Sequence, residues 1–312
     1  MSIEPQVAPV EEDDVPDVDP EELPTDTLPV LGRVPDDATE EEALAHLARA
    51  ARLVRSRDIE MIRAAGLGHI GGEFSVIDVL VTLYLRSMVV APDRIDDPER
   101  DRFVLSKGHA AAALYTTLAV AGFLPPEQLE TFMQPQSQLN GHPARTKIAA
   151  VEASTGPLGH GLPIAVGTAL AGRLDGSPRR TFVVVGDGEL QEGSNWEALM
   201  TAGNQHLANL CLVVDRNRLQ QGARVADTND LEPLADKLRA FGMEVVELDG
   251  HDHGALSAAF AAVPAASGKP TAVIAHTVKG HPVSFMSDNV AWHHKVPTAE
   301  QVEQALAELE AR

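Results

Sequence analysis

Cysteine occurs once in the 312 residues, aromatic side chains make up 4%, and no apolar run approaches the length of a membrane span. The single Cys211 sits inside an apolar stretch, so a disulfide framework is excluded and a reducing compartment, the cytoplasm, is the simplest home. Few aromatics beside abundant Ala, Val, Leu and Gly disfavour an all-β sandwich. They suit an α/β protein whose small residues let helices lie close on a sheet. The N-terminus, MSIEPQVAPVEEDD, lacks the basic and apolar regions of a secretion signal, and no membrane association is expected.

Basic charge is also scarce. Residues 1–42 carry fifteen Asp/Glu and one Arg, −14 of the net −21, which leaves −7 for the remaining 270 residues. No basic stripe appears in the chain, and binding to nucleic acid through phosphate contacts is therefore disfavoured. Residues 1–38 hold seven Pro and an acidic run from Glu11 to Glu22, with almost no periodic apolar pattern. Such a segment cannot bury enough surface to offset its ordering entropy, so 1–38 is expected to be a disordered extension and 39–312 the folded domain.

From Thr39 the pattern becomes helical: TEEEALAHLARAARLVRSRDIEMIRAA has an acidic first turn, apolar residues at helical spacing and a stop at Gly66. A Gly-rich loop, GLGHIGGEF, and a helix over 75–88 follow. DRFVLSKGHAAAALYTTLAVAG reads as strand, turn and helix, and STGPLGHGLPIAVGTALAGRL as a Gly-rich loop opening a helix. The order then alternates regularly. TFVVV (181–185), LCLVVD (210–215), MEVVELDG and PTAVIAHTV are strands, separated by the helices SNWEALMTAGNQH (194–206), LEPLADKLRAFG and HGALSAAFAAVPAA. The fold class this implies is α/β, a doubly wound, mostly parallel sheet flanked by helices.

In such a sheet ligands bind beyond the carboxyl ends of the strands. Gly-Asp-Gly (186–188) closes one strand and Asp-Arg-Asn (215–217) closes its expected neighbour, placing Asp187 and Asn217 on one rim. A carboxylate, an amide oxygen and a carbonyl of the following backbone make half of an octahedral Mg²⁺ or Ca²⁺ site, which diphosphate oxygens and water can complete. Gly186 and Gly188 leave room for a ligand to approach the main chain. Alone, GDG is an ordinary tight turn. The two motifs, thirty residues apart with strand, helix and strand between, are far more specific.

GDGELQEGSNWEA followed by VVDRN resembles the thiamine-diphosphate fingerprint of transketolases. DRFVLSKGHAAAALY, GHP, STGPLGHGLPIAVG and KGHPVSFM are similar to further transketolase segments in the same order, over residues 45–297. The resemblance implies thiamine diphosphate as cofactor, with Asp187, Asn217 and the main-chain carbonyl of Leu219 on the metal and Gly188 on the diphosphate. It places Gly156 and Leu158 beside the aminopyrimidine. Glu192 becomes a cofactor-linked carboxylate joining two active sites, with Glu197 as its neighbour in a buried, proton-sharing cluster. His69, His109 and His142 would line the substrate channel, His109 also meeting the cofactor, and His293 would lie near the diphosphate and the substrate hydroxyls.

Neutral imidazole can donate to a sugar hydroxyl or accept its proton, so the residue type suits the role. The other histidines, His46, His206, His251, His253, His276 and His281, read as surface or helix-end residues. His160 stands where the family commonly has glutamine and His294 where glycine is frequent.

A transketolase has two further regions, one of which supplies the glutamate that hydrogen-bonds the aminopyrimidine; this sequence matches only the first region. The resemblance therefore implies the N-terminal subunit of a two-component transketolase. With a separate C-terminal-half subunit, in an α₂β₂ arrangement, it would transfer a two-carbon ketol unit from a ketose, expected to be a sugar phosphate, to an aldose. Competing readings are another thiamine-diphosphate enzyme such as a 2-oxo-acid dehydrogenase component, a transketolase of specialised metabolism, and a non-catalytic regulatory subunit. LQEG and SKGHA oppose the first, and the intact ligands and histidines oppose the last. A nicotinamide-binding domain is weaker still, since no G-x-G-x-x-G follows a strand.

Overall fold

The computed structural model describes residues 28–312. The long first helix, α1 (Glu40–Ala65), starts where Thr39 and Glu42 cap each other's backbone N–H groups and stops at Gly66 in the left-handed conformation, φ 69°. Next come α2 (Ile70–Thr82), prolonged by a π-helical turn over Leu83–Ser87, then β1 (Arg102–Leu105), α3 (Ala111–Val120) and α4 (Gly161–Leu174). The regular alternation follows as β2 (Thr181–Gly186), α5 (Gly193–Asn204) and β3 (Leu210–Arg216). A small hairpin, β4 (Leu219–Gln220) with β5 (Ala223–Arg224), leads into α6 (Val225–Asn229) and α7 (Leu234–Ala240). The chain then runs through β6 (Glu244–Asp249), α8 (His253–Ala261), β7 (Thr271–His276) and α9 (Ala299–Glu310).

Five strands form one parallel sheet in the order β1-β2-β3-β7-β6, as the alternation predicts. Strand periodicity divides the core between its faces. Phe182, Val184, Cys211, Val213 and Val273 point toward α1, α2, α3, α8 and α9, whereas Val183, Val185, Leu212, Val214 and Ile274 point toward α4, α5 and α7. Both faces are therefore covered, and the central strands read as unbroken apolar runs for that reason.

Two expectations change. The boundary of the acidic extension lies earlier than residue 38: Leu28 is buried, Leu31 N–H donates to the Val120 carbonyl at 2.9 Å, and Val34 N–H donates to the Leu85 carbonyl at 2.8 Å. Arg33 caps the carbonyls of Tyr84 and Arg86 at 3.3 and 2.7 Å. Leu28, Leu31 and Val34 supply the packing that the acidic run lacks. The disorder expected for 1–27 falls outside the described residues.

Second, GLGHIGGEF is not all loop, because α2 begins at Ile70. Its glycines serve close packing: a Cβ on Gly71 would lie 2.4 Å from the Trp292 carbonyl oxygen. Among the described residues no helix is long and apolar enough to cross a membrane.

Candidate active site

The tips of β1, β2, β3 and β7 meet around Asp215, whose side chain is wholly buried. Its carboxylate accepts Ser75 Oγ from α2 at 2.7 Å, Lys107 Nζ from the turn after β1 at 2.5 Å, Asn217 Nδ2 at 3.2 Å, and Thr277 Oγ1 from beyond β7. Burial pushes this acid up, but the Lys107 ammonium and these hydrogen bonds outweigh it and hold the group below the usual carboxylate range. Lys107 also donates to the Gly72 carbonyl at 2.7 Å. One anion thus ties four elements into a single floor.

Above that floor the β2 and β3 tips are joined directly. Asp187 Oδ2 accepts the Arg218 N–H at 2.6 Å and Oδ1 accepts the Gly188 N–H at 2.8 Å, while Asn217 Oδ1 accepts the Leu219 N–H at 3.1 Å. Arg218 takes the left-handed conformation, φ 68°, to turn this loop. Burial, and then the neighbouring Asp215, raise the Asp187 carboxyl to about 6, so a bound cation would relieve a carboxylate that its surroundings disfavour.

The Leu219 carbonyl accepts a cationic donor, Lys279 Nζ, at 3.1 Å. Asp187, Asn217 and Leu219 therefore offer a hard-oxygen set of low charge, which fits a divalent cation that also carries phosphate oxygens. Among the described residues no group of three or more His, Cys, Asp or Glu side chains forms a metal site; this set contains only one such residue. At the same tip Glu189 accepts the Gly159 and Gly186 N–H groups at 3.0 and 3.1 Å and bonds Ser106 Oγ. Gly188 lies close against the hairpin there, since a Cβ on it would come 3.0 Å from Gln220 Cβ.

A cleft of about 390 Å³ opens over these residues, lined by Asp187, Asn217, Leu219, Gly156, Leu158 and Glu192 among others. His69, His109, His142 and His293 also line it. The His69 ring centroid lies 5.2 Å from His109, 6.4 Å from His142 and 5.6 Å from His293. Burial first, and neighbouring cations and imidazoles after it, lower His69 to about 4 and His293 to about 3. His109 falls well below its ordinary value, chiefly through burial and then Lys107. Lys279, whose Nζ is 2.7 Å from His293 Nδ1, is pushed down to about 8 by burial and Lys107. At neutral pH the cleft presents uncharged imidazoles beside one readily deprotonated lysine.

The structure thus brings together every site residue expected from sequence, though not in every respect as expected. Glu192 and Glu197 are exposed in this chain, so the burial expected of their cluster is not supplied by these residues alone. His160 is exposed as well, whereas His294, which the motif does not call for, has its ring 4.7 Å from His69. Sequence reasoning misses Lys107, Lys279, Asp215 and Glu189. All four stand inside the motifs SKGHA, KGHP, VVDRN and GDGEL, beside the histidines and metal ligands that make those motifs conspicuous. His251, His253 and His281 are not scattered surface residues but gather around buried Asp78.

Comparison with known proteins agrees with this fold. Residues 46–310 match the family model "Transketolase, thiamine diphosphate binding domain". The chain is 44% identical over 266 residues to an apulose-4-phosphate transketolase subunit of Actinobacillus succinogenes, covering 84% of this chain and 95% of that protein. It is 40% identical over 264 residues to the 6-deoxy-6-sulfo-D-fructose transketolase subunit SqwG of a Clostridium species, covering 85% and 96%. The crystal structure of transketolase from Campylobacter jejuni superimposes with a TM-score of 0.80 at 29% identity, covering 85% of this chain and 42% of that one. The chain belongs to the transketolase family and consists, over residues 46–310, of its thiamine-diphosphate-binding domain.

Proposed function

We propose that this chain is the thiamine-diphosphate-binding subunit of a two-subunit transketolase, which with a separate polypeptide transfers a two-carbon ketol unit from a ketose phosphate to an aldose. The observation that carries the reading is the Arg218 N–H bond to Asp187, which gathers Asp187, Asn217 and the Leu219 carbonyl at one end of a histidine-lined cleft. These three would hold Mg²⁺ or Ca²⁺ and, through it, the diphosphate, with Gly188 allowing close main-chain approach. Thiamine diphosphate, when bound, supplies the electron sink needed to break and form a carbon–carbon bond beside a carbonyl.

The chain's own residues would orient the sugar. His69, His109, His142 and His293, uncharged at neutral pH, can donate to hydroxyls or accept their protons. Lys279, lowered to about 8, can return a proton to His293 across their 2.7 Å contact. Gly156 and Leu158 would support the cofactor's second ring from this side.

A partner fits the surface beside the cleft. Leu158, Ile164 and Met200 are exposed apolar side chains near Glu192 and Glu197, and an interface there would give those carboxylates the burial that a linked pair requires. Relatives whose names call them transketolase subunits, matched over nearly their whole length, support a separate partner, for which α₂β₂ is the simplest closed arrangement. A buried, single cysteine is in keeping with a cytoplasmic home.

One observation favours an unusual sugar within this reading. His294 adds a fifth imidazole to the cluster around His69, at a position where glycine is frequent in the resembling motif.

The test is reconstitution of the full chain with a transketolase C-terminal-half polypeptide, thiamine diphosphate and Mg²⁺. Two-carbon transfer between ketose phosphate and aldose should appear only in the complete mixture, followed by mass spectrometry of both products. Pyruvate decarboxylation alone, or full activity without the second polypeptide, would overturn the proposal.

A further inference from the structure

Between α1 and the loops that follow β6 and β7 lies a second cavity, of about 280 Å³. Its inner wall is built on Asp78, which Arg55 holds with two hydrogen bonds of 3.0 and 2.6 Å and which His251 Nδ1 meets at 2.7 Å. The other nitrogen of that ring, Nε2, lies 3.0 Å from the Val278 N, whose N–H can only donate. His251 therefore carries its proton on Nδ1 and is neutral. Arg55 and Asp78 cancel each other's charge, and the His281 ring stacks on His251 with centroids 3.9 Å apart and 21° between planes.

The outer wall is different. Arg49 and Arg52, three residues apart on α1 and both exposed, border the cavity together with Arg312. Neither Arg49 nor Arg52 has a side-chain carboxylate partner among the described residues. Ala45 and Ala48 leave the space between helix and rings open. The acids of the adjoining loop are directed to the backbone: Asp249 accepts the His251 N–H at 2.9 Å, and Asp252 caps α8 through the Gly254 and Ala255 N–H groups. Burial is the main cause that lowers His281, to about 4. The cavity thus has unmatched guanidinium groups over an aromatic floor, and its one lining side-chain carboxylate, Asp78, is already spent on Arg55 and His251.

We infer that this cavity is a binding site for a small phosphate-bearing molecule, its phosphate gripped by Arg49 and Arg52 and seated against the His251–His281 stack. Guanidinium forks match phosphate oxygens in geometry and charge. The volume accommodates inorganic phosphate or a short phosphomonoester. No residue of this site takes part in the proposed ketol transfer, so either can fail without the other.

The imidazole resonances of the full chain, observed by NMR, provide the test, with His281 assigned by its loss in His281→Gln. Inorganic phosphate and glycerol 3-phosphate are titrated separately, and His69 and His293 report the first cleft in the same spectra. Saturable movement of the His251 and His281 signals is expected, together with an upward move of the His281 titration midpoint from about 4. Arg49→Ala with Arg52→Ala should weaken binding at least tenfold while leaving any response of His69 unchanged. Tighter binding of glycerol 3-phosphate would support an organic ester as ligand, and equal binding would support phosphate alone. Unmoved His251 and His281 signals with both probes, or undiminished binding in the double variant, would overturn the assignment.

Discussion

The main-chain N–H of Arg218 lies 2.6 Å from Oδ2 of Asp187, which pins the loop after β3 to the tip of β2. That bond separates two jobs of one carboxylate, closing a loop and offering charge. Asp187→Asn can still accept the Arg218 N–H through its amide oxygen, whereas it cannot supply the negative charge. Both Asp187→Asn and Asp187→Ala should weaken Mg²⁺-dependent binding of thiamine diphosphate in the assembled enzyme by at least about a hundredfold, more than loss of a residue that merely supports a ligand usually costs. The Asn variant keeps one of the two backbone hydrogen bonds and loses that from the Gly188 N–H, so it should be less destabilised than the Ala variant, which loses both. Calorimetric titration with and without Mg²⁺ checks this, and unchanged affinity in the Ala variant would remove Asp187 as a ligand.

Lys107 and Asp215 form a pair shielded almost wholly from water, with side chains 1% and 0% exposed. Removing the cation leaves a buried carboxylate facing only neutral donors. Lys107→Met should therefore destabilise the fold by about 3–5 kcal/mol, and Thr277→Val, which deletes one hydrogen bond to the same carboxylate, by about 1–3 kcal/mol. Urea unfolding midpoints measure both. Equal effects from the two substitutions would mean that Asp215 is protonated in the native state.

Much of this site can be read in the sequence because two independent patterns converge on it. Apolar runs ending in GDG and DRN locate strand tips, and strand tips locate ligands. Asp215 escapes because an acid at the end of an apolar strand looks like a boundary, and only the fold brings Ser75, Lys107 and Thr277 to it from far along the chain. His251, His253 and His281 lack any local pattern; they are assembled by α2 supplying Asp78 to loops from two other strands. Gly71 misleads in the opposite direction, since glycine signals a loop by frequency but here permits α2 to approach Trp292.

The cleft histidines give the fold a definite acid response. His69 and His293 titrate near 4 and 3 in the folded chain, lowered first by burial and then by His294 and Lys279 respectively, and near 6.5 when unfolded. Between those values the unfolded state binds more protons, so their contribution to stability is present above about 6.5 and is lost as pH falls. The stability difference between the wild type and His293→Gln should shift toward the variant as pH drops from 7 to 5. Urea unfolding across that range reads it directly, and a difference that does not change with pH would show that His293 ionises freely in the cleft.

Glu73 has the opposite sign. It lies at the start of α2, accepts the His69 N–H at 3.1 Å and is buried, as is Asp58. Burial raises it to about 7, against the hydrogen bond from the His69 N–H, and Asp58 is raised too, by burial and then by Glu73. The folded state therefore retains a proton that the unfolded chain releases near 4.5, and stability is lost as pH rises through that window toward 7. Glu73→Gln keeps an acceptor for the His69 N–H but has no proton to lose. Relative to wild type it should gain stability, on the order of 1–3 kcal/mol, between pH 5 and pH 8. Because the gain concerns a side chain directly behind His69, the variant also tests whether the buried acid pair sets that histidine's position: the His69 ring resonance should stay in place if Glu73 is protonated at neutral pH in the native protein, and shift if it is ionised there.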